Sequence, residues 1–213
     1  MKKTLIIIIA TLSAVNIHAQ IQFGVKGGLN LSNLILSPSV QEASYNLKPG
    51  FNAGVLVHIP LSNHFGLQPE ILYSGQGSNG NTNFENITIR LQYLTIPLLL
   101  KYAVSSRFFA EIGPQAGFLL SARKKVHTTD YVLENPDDPY IDHAGDNIDI
   151  RSYYRSVDLS GVIGIGYLFT PNIGAVANYN LSILNTVTSH TGSVRNSVIQ
   201  IDFFYFLKQG NKH

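Results

Sequence analysis

Five ionisable residues sit where an extended chain would carry them on its polar face: Lys26, Glu70, Lys101, Glu111 and Asp202. Each alternates with apolar neighbours at a period of two, so in a strand its side chain points away from theirs. Four of the five lie four or five residues from the same end of their segments, which puts opposite signs at similar heights. Lys26 can meet Asp202 if the first and last segments become neighbours, and Lys101 can meet Glu70 or Glu111 on adjacent segments. The set reads as a charge network inside a barrel. It could fill that interior with ion pairs or line a gated solute or proton path. Filling is favoured, because unpaired buried charges are costly and these have partners of the right sign.

Other chemistry finds less support. The chain has no cysteine, which removes disulfides, thiolate nucleophiles and cysteine-type zinc sites. The histidines that could activate a nucleophile in a lipid-modifying enzyme are His58, His64, His127, His143 and His190. None has a Ser and an acid at a spacing that would support activation, so no catalytic residue, cofactor or metal site is expected. Residues 122–155 hold seven of the 13 acidic residues: Asp130, Glu134, Asp137, Asp138, Asp142, Asp146 and Asp149. They lack the order of an EF-hand calcium loop and read as a solvated loop. Its basic start, Arg123 to Lys125, could meet the phosphates of lipopolysaccharide.

The elements that must position these residues follow from the period of two, which recurs in segments of about 10 to 14 residues, as tilted membrane strands do. Eight are expected, near 21–31, 48–60, 65–76, 87–102, 107–121, 156–169, 172–183 and 195–207. In the fifth, Phe108, Ala110, Ile112, Pro114, Ala116, Phe118 and Leu120 share one face. Glu111, Gly113, Gln115 and Gly117 share the other. Short links near 61–64, 103–106 and 170–171 alternate with long ones at 32–47, 77–86, 122–155 and 184–194. Outer-membrane barrels have short periplasmic turns and longer external loops, so the pattern predicts an all-β, eight-stranded antiparallel up-and-down transmembrane barrel with both termini on the periplasmic side. Outward aromatics then cluster at the two rims, where barrels carry aromatic girdles. Pro69, Pro97 and Pro114 fall inside strands, where each removes a ladder hydrogen bond, and bulges are expected there.

Composition agrees. Only 13% of residues are charged, against about 25% in ordinary soluble proteins, and Phe and Tyr number 11 each. No stretch beyond the leader approaches the roughly 18 to 20 apolar residues of a transmembrane helix. Lys2, Lys3 and the run Leu5 to Leu12 read as a signal peptide over 1–19, with the barrel domain over 20–213. Without those two lysines, the basic residues fall from 15 to match the 13 acidic ones, so no nucleic-acid partner is implied. A soluble barrel or sandwich would also alternate, but its outward face would need many charged residues.

Three strings resemble the outer-membrane β-barrel family typified by PorT of the Bacteroidetes: Gly24-Val-Lys-Gly-Gly-Leu-Asn30, Gln68-Pro-Glu-Ile-Leu-Tyr-Ser-Gly75 and Tyr93-Leu-Thr-Ile-Pro-Leu-Leu-Leu-Lys-Tyr102. The resemblance spans essentially the whole mature chain. It implies an eight-stranded barrel, and departs at Thr95, where the family pattern is expected to carry a glutamate. PorT is linked to protein secretion across the outer membrane, a role that fold alone does not transfer. The functional expectation is a non-enzymatic barrel of structural, interaction or secretion-associated role. Its expected partners are outer-membrane lipid, lipopolysaccharide and an envelope or secretion-system protein, with the barrel itself monomeric. The alternatives are a narrow solute channel and an integral lipid-modifying enzyme.

Overall fold

The computed structural model describes residues 21–36, 44–81, 85–129, 147–188 and 193–207. The expected signal peptide lies outside them. Eight long strands are seen among the described residues: β1 (Gln22–Leu36), β3 (Lys48–Pro60), β4 (Phe65–Asn81), β5 (Glu85–Ala103), β6 (Phe108–Thr129), β8 (Val157–Leu168), β9 (Ile173–Ser182) and β10 (Val194–Phe206). Two three-residue strands, β2 (Ser44–Asn46) and β7 (Asn147–Asp149), add to β4 and β6 at one rim.

Each long strand pairs antiparallel with the next, and β1 pairs with β10 from Gly24↔Phe206 to Leu36↔Val194. The ring is closed, which removes every sheet edge from the wall. The tight links at residues 61–64, 104–107 and 169–172 all fall at one end. Each begins with a residue whose amide bonds back to the carbonyl that opens the next strand, as in Leu61 to Phe65, Val104 to Phe108 and Phe169 to Ile173. A Ser or Thr hydroxyl secures each: Ser62, Ser105 and Thr170 accept from the amides of Phe65, Phe108 and Ile173.

The polarity of the wall is inverted relative to a soluble barrel. Ile165 is 71% exposed, Leu29 67% and Phe203 62%, while Glu70 is 2% and Asp202 0% exposed. At the short-turn rim the outward rings pack in a chain, with centroids 5.1 Å apart for Phe65–Tyr102, 4.8 Å for Phe108–Tyr167 and 5.5 Å for Tyr167–Phe169. Phe51 and Tyr73 pair at 5.5 Å toward the other rim.

Three expectations change. First, β4, β5 and β6 run to 17, 19 and 22 residues, about twice what a tilted strand needs to cross a bilayer. Segments expected as loops at 77–81 and 122–129 are strand. Their polar composition reads as loop, but the backbones pair as a ribbon that continues beyond the apolar belt.

Second, the register runs through all three prolines without a bulge. Pairs are missing opposite each one, between Leu56↔Glu70 and Ile59↔Leu67, between Pro69↔Leu98 and Leu72↔Thr95, and between Pro97↔Gln115 and Leu100↔Ile112. The gaps step from one interface to the next, so no interface loses more than one short stretch. The register shifts lie higher on β6, beside Leu120 and His127.

Third, the interior is not polar throughout. Leu34, Ile89, Leu91, Tyr93, Leu119, Ala122 and Tyr154 form an apolar layer at the long-loop end. Leu56, Phe109, Val176, Phe204 and Phe206 form another at the short-turn end. The inward face of β10, read from one rim to the other, is Asn196, Val198, Gln200, Asp202, Phe204 and Phe206.

Candidate functional site

Between the two apolar layers lies a band of buried polar side chains, and all five expected charged residues are in it. Lys26 on β1 is the hinge of the band. Its Nζ lies 3.0 Å from Glu70 Oε2 and 3.5 Å from Asp202 Oδ2. Asp202 is on β10, next to β1. Glu70 is on β4, one strand removed, so Lys26 must reach over β3. It can, because the β3 residue opposite Lys26 is Gly54. A Cβ there would also fall 2.8 Å from Leu72 Cα, so the close approach of β4 requires glycine.

The expected contact of Lys101 with Glu70 is not made directly. Lys101 stands opposite Gly66 on β4, too far along for Glu70. Gln68 bridges instead, accepting from Lys101 Nζ at 3.1 Å and donating to Glu70 Oε1 at 2.7 Å. Lys101 faces Glu111 across the β5–β6 ladder, with Nζ 3.9 Å from Oε2. Its ammonium also sits 3.7 Å from the centroid of the Phe109 ring, a cation–π contact that ties the polar band to the apolar layer below it.

Neutral side chains continue the band. Asn52 donates to Asp202 Oδ1 at 2.7 Å and to Asn30 Oδ1 at 2.8 Å, and Gln200 also donates to Asn30 Oδ1 at 3.0 Å. Thr95 is buried and its hydroxyl is 3.4 Å from the Leu72 carbonyl. A short hydroxyl therefore stands where the resemblance implied a carboxylate.

One buried acid escaped the sequence reading. Asp158 on β8 accepts from Ser160 and Ser182, each at 2.8 Å to Oδ2. The alternation of Asp158, Ser160, Val162 and Gly164 along β8 places it inward, and that was the available signal.

Among the described residues, His58 and His64 lie at the short-turn end. His58 is half-buried at the short-turn mouth, its ring 5.8 Å from Phe206. His64 is exposed in a turn, its ring 6.2 Å from Tyr102. His127 falls at the register shift on β6, while His143 and His190 lie outside the described residues. So do Asp130, Glu134, Asp137, Asp138, Asp142 and Asp146; Asp149 is on β7 and accepts from the Arg151 amide at 2.9 Å. Among the described residues no group of three His, Asp or Glu could hold a metal ion.

A family model described as an outer membrane protein beta-barrel domain matches residues 15–187. The chain belongs to that family. Its place is the bacterial outer membrane, and the short-turn end is then periplasmic. Among solved structures it is similar to Neisserial surface protein A, at 13% identity over 87% of this chain and 97% of that one, with a TM-score of 0.51. It is also similar to Ail of Yersinia pestis, at 12% identity, 87% and 98% coverage and a TM-score of 0.48. OprG of Pseudomonas aeruginosa follows at 13%, 90% and 98%, with a TM-score of 0.38. At 13% identity the likeness to Neisserial surface protein A is one of fold alone. No curated protein matches.

Proposed function

We propose that this barrel works as a sealed, non-enzymatic scaffold, which holds its external ribbon and loops, or its periplasmic mouth, against another component of the envelope. The observation that carries the reading is the stacking of the interior: a polar band with ion pairs, closed above by Tyr93 and Leu91 and below by Phe109, Phe204 and Phe206. An eight-stranded interior is just wide enough for side chains to fill, and here large side chains face inward at both ends. The five charged residues then brace the middle of the interior by their ion pairs, and the two apolar layers close it. Breaking one of these pairs would strand a charge where water cannot replace the lost partner.

The resemblance of the three sequence strings to the PorT-type family favours a secretion-associated partner. Their residues form the β1, β4 and β5 walls around Lys26, Glu70 and Lys101. Affinity capture of the full chain from native membranes tests this. Co-purification of a defined envelope protein is expected, and recovery of the barrel alone would sink the secretion-associated role. The rival reading of a narrow channel draws on buried oxygens without hydrogen-bond partners, among them Asp158 Oδ1 and both Glu111 oxygens. Water could occupy such positions. Bilayer conductance separates a hydrated but closed interior from an open one.

A further inference from the structure

We propose that the outer wall carries a binding site for the phosphorylated head group of an outer-leaflet glycolipid, built from Lys48 and Arg90 and extended by Arg123. The site arises where β3 and β4 part. Their pairing is seen up to Asn52↔Ser74, and β4 then pairs with β2 from Asn79 onward. Between these, β1 side chains take carbonyls that β3 leaves free: Asn30 Nδ2 donates to Gly75 O at 3.0 Å and Ser32 Oγ to Gly77 O at 2.9 Å. A hollow of about 410 Å³ opens there, its lining including Lys48, Phe51, Tyr73, Thr88, Arg90 and Gln92.

Three features select an anion of that kind. Lys48, whose register partner Ser32 faces the lumen, reaches the gap half-buried, with Nζ donating to Gln76 O at 3.3 Å. Lys48 and Arg90 thus bring two positive charges to one hollow, and no described ion pair involves either of them. Across the β5–β6 ladder Arg90 stands directly opposite Arg123, and both are exposed on the outward face. Like charges so placed destabilise a sheet, unless an anion lies between them. A phosphate suits two guanidinium groups, each of which can donate in parallel to its oxygens. Asp149 stands across from Arg123 on its other side, with its carboxylate taking the Arg151 amide.

Height commits the site to a lipid. Read outward along β5 and β6, the cross-strand neighbours are Leu94 and Phe118, then Gln92 and Ser121, then Arg90 and Arg123. The basic residues therefore begin just above the apolar belt, where head-group phosphates lie. The Phe51–Tyr73 pair, at 5.5 Å, forms an aromatic ledge below them at the interface.

The test uses the folded full chain in detergent and native mass spectrometry with bisphosphorylated lipid A, its dephosphorylated form and inorganic phosphate as separate probes. Retention of the bisphosphorylated lipid is expected. Lys48→Gln/Arg90→Gln should weaken it about thirtyfold, from two lost charges near an anionic surface. Arg90→Lys, which keeps the charge but loses the forked pair of donors, should weaken binding less than the double variant does, and Arg195→Gln, an exposed residue on β10 outside the hollow, should change nothing. Gel mobility of the unheated barrel shows that each variant has folded. Equal retention of the dephosphorylated lipid would overturn the proposal. So would complete displacement by inorganic phosphate, unchanged binding by the double variant, or an equal loss in Arg195→Gln.

Discussion

Lys26 Nζ reaches Glu70 Oε2 at 3.0 Å by crossing over the strand that separates them. This one contact joins β1 to β4 through the lumen, and the same ammonium holds β10 through Asp202 at 3.5 Å. Removing the cation leaves two carboxylates facing each other in a buried site. Lys26→Met should therefore lower stability by about 3 to 5 kcal/mol, read as the urea midpoint of the barrel in phospholipid vesicles. Lys26→Met/Glu70→Gln/Asp202→Asn, which removes all three charges, should recover most of the loss. A single variant as stable as the parent would show that the pair contributes nothing.

How much of this was legible in the sequence depends on what alternation can encode. Period two gave the eight long strands and the inward placement of Lys26, Glu70, Lys101, Glu111 and Asp202, because side-chain direction along a strand depends on parity alone. Partner choice needs register, which parity does not contain. Glu70 could be matched with Lys101 on an adjacent strand, yet the register sets Gly66 opposite Lys101 and leaves Glu70 to Lys26. The absence of a side chain at Gly54 decides that pairing, and a glycine in a glycine-rich wall gives no signal of its own. Residues 77–81 failed differently: Gly77-Ser-Asn-Gly-Asn81 has every mark of a loop, but β5 pairs with it from Arg90 to Asn86. Gly77, with φ of 131°, is the one described residue in the left-handed half of backbone space, and it lies in this ribbon.

Inward glycines make room for the rings of the lower apolar layer. A Cβ on Gly166 would collide with the Phe109 ring, and one on Gly174 would stand 2.9 Å from Phe204 Cε1. Gly166→Ala should displace Phe109 and with it the surface on which Lys101 rests. A loss of about 1 to 3 kcal/mol is expected from overpacking. Combining it with Phe109→Leu should cost less than the sum of the two single changes, since the clash disappears with the ring. Strict additivity in denaturant unfolding would refute the contact.

The absence of native cysteine allows orientation to be read directly. Ser106→Cys, exposed in a tight turn, should resist a membrane-impermeant maleimide on intact cells and react after the outer membrane is opened. Thr188→Cys, exposed beyond β9 at the other end, should react in both states. Both positions lie outside the paired strands, so neither change should disturb the wall. Labelling in the reverse order would invert the barrel, and with it the external placement of the lipid site.

Closure of the lumen gives the last expectation. Among the described residues the ammonium groups of Lys26 and Lys101 share the buried band with the carboxyl groups of Glu70, Glu111, Asp158 and Asp202. A path through that band would thus favour cations over anions, but Tyr93, Leu91, Phe204 and Phe206 stand across both ends at 1 to 4% exposure. In planar bilayers the parent should show no stepwise conductance. Trimming one layer alone should leave the other shut, whereas Leu91→Ala/Phe204→Ala/Phe206→Ala should open a small conductance. In a KCl gradient its reversal potential should have the sign of a potassium-preferring pore. Each truncation also costs about 2 to 5 kcal/mol in a packed core, so gel mobility must first show that the triple variant is folded. Steady conductance from the parent would reject the sealed scaffold and leave the channel as the working function; a folded triple variant that stays silent would place the seal in the polar band itself.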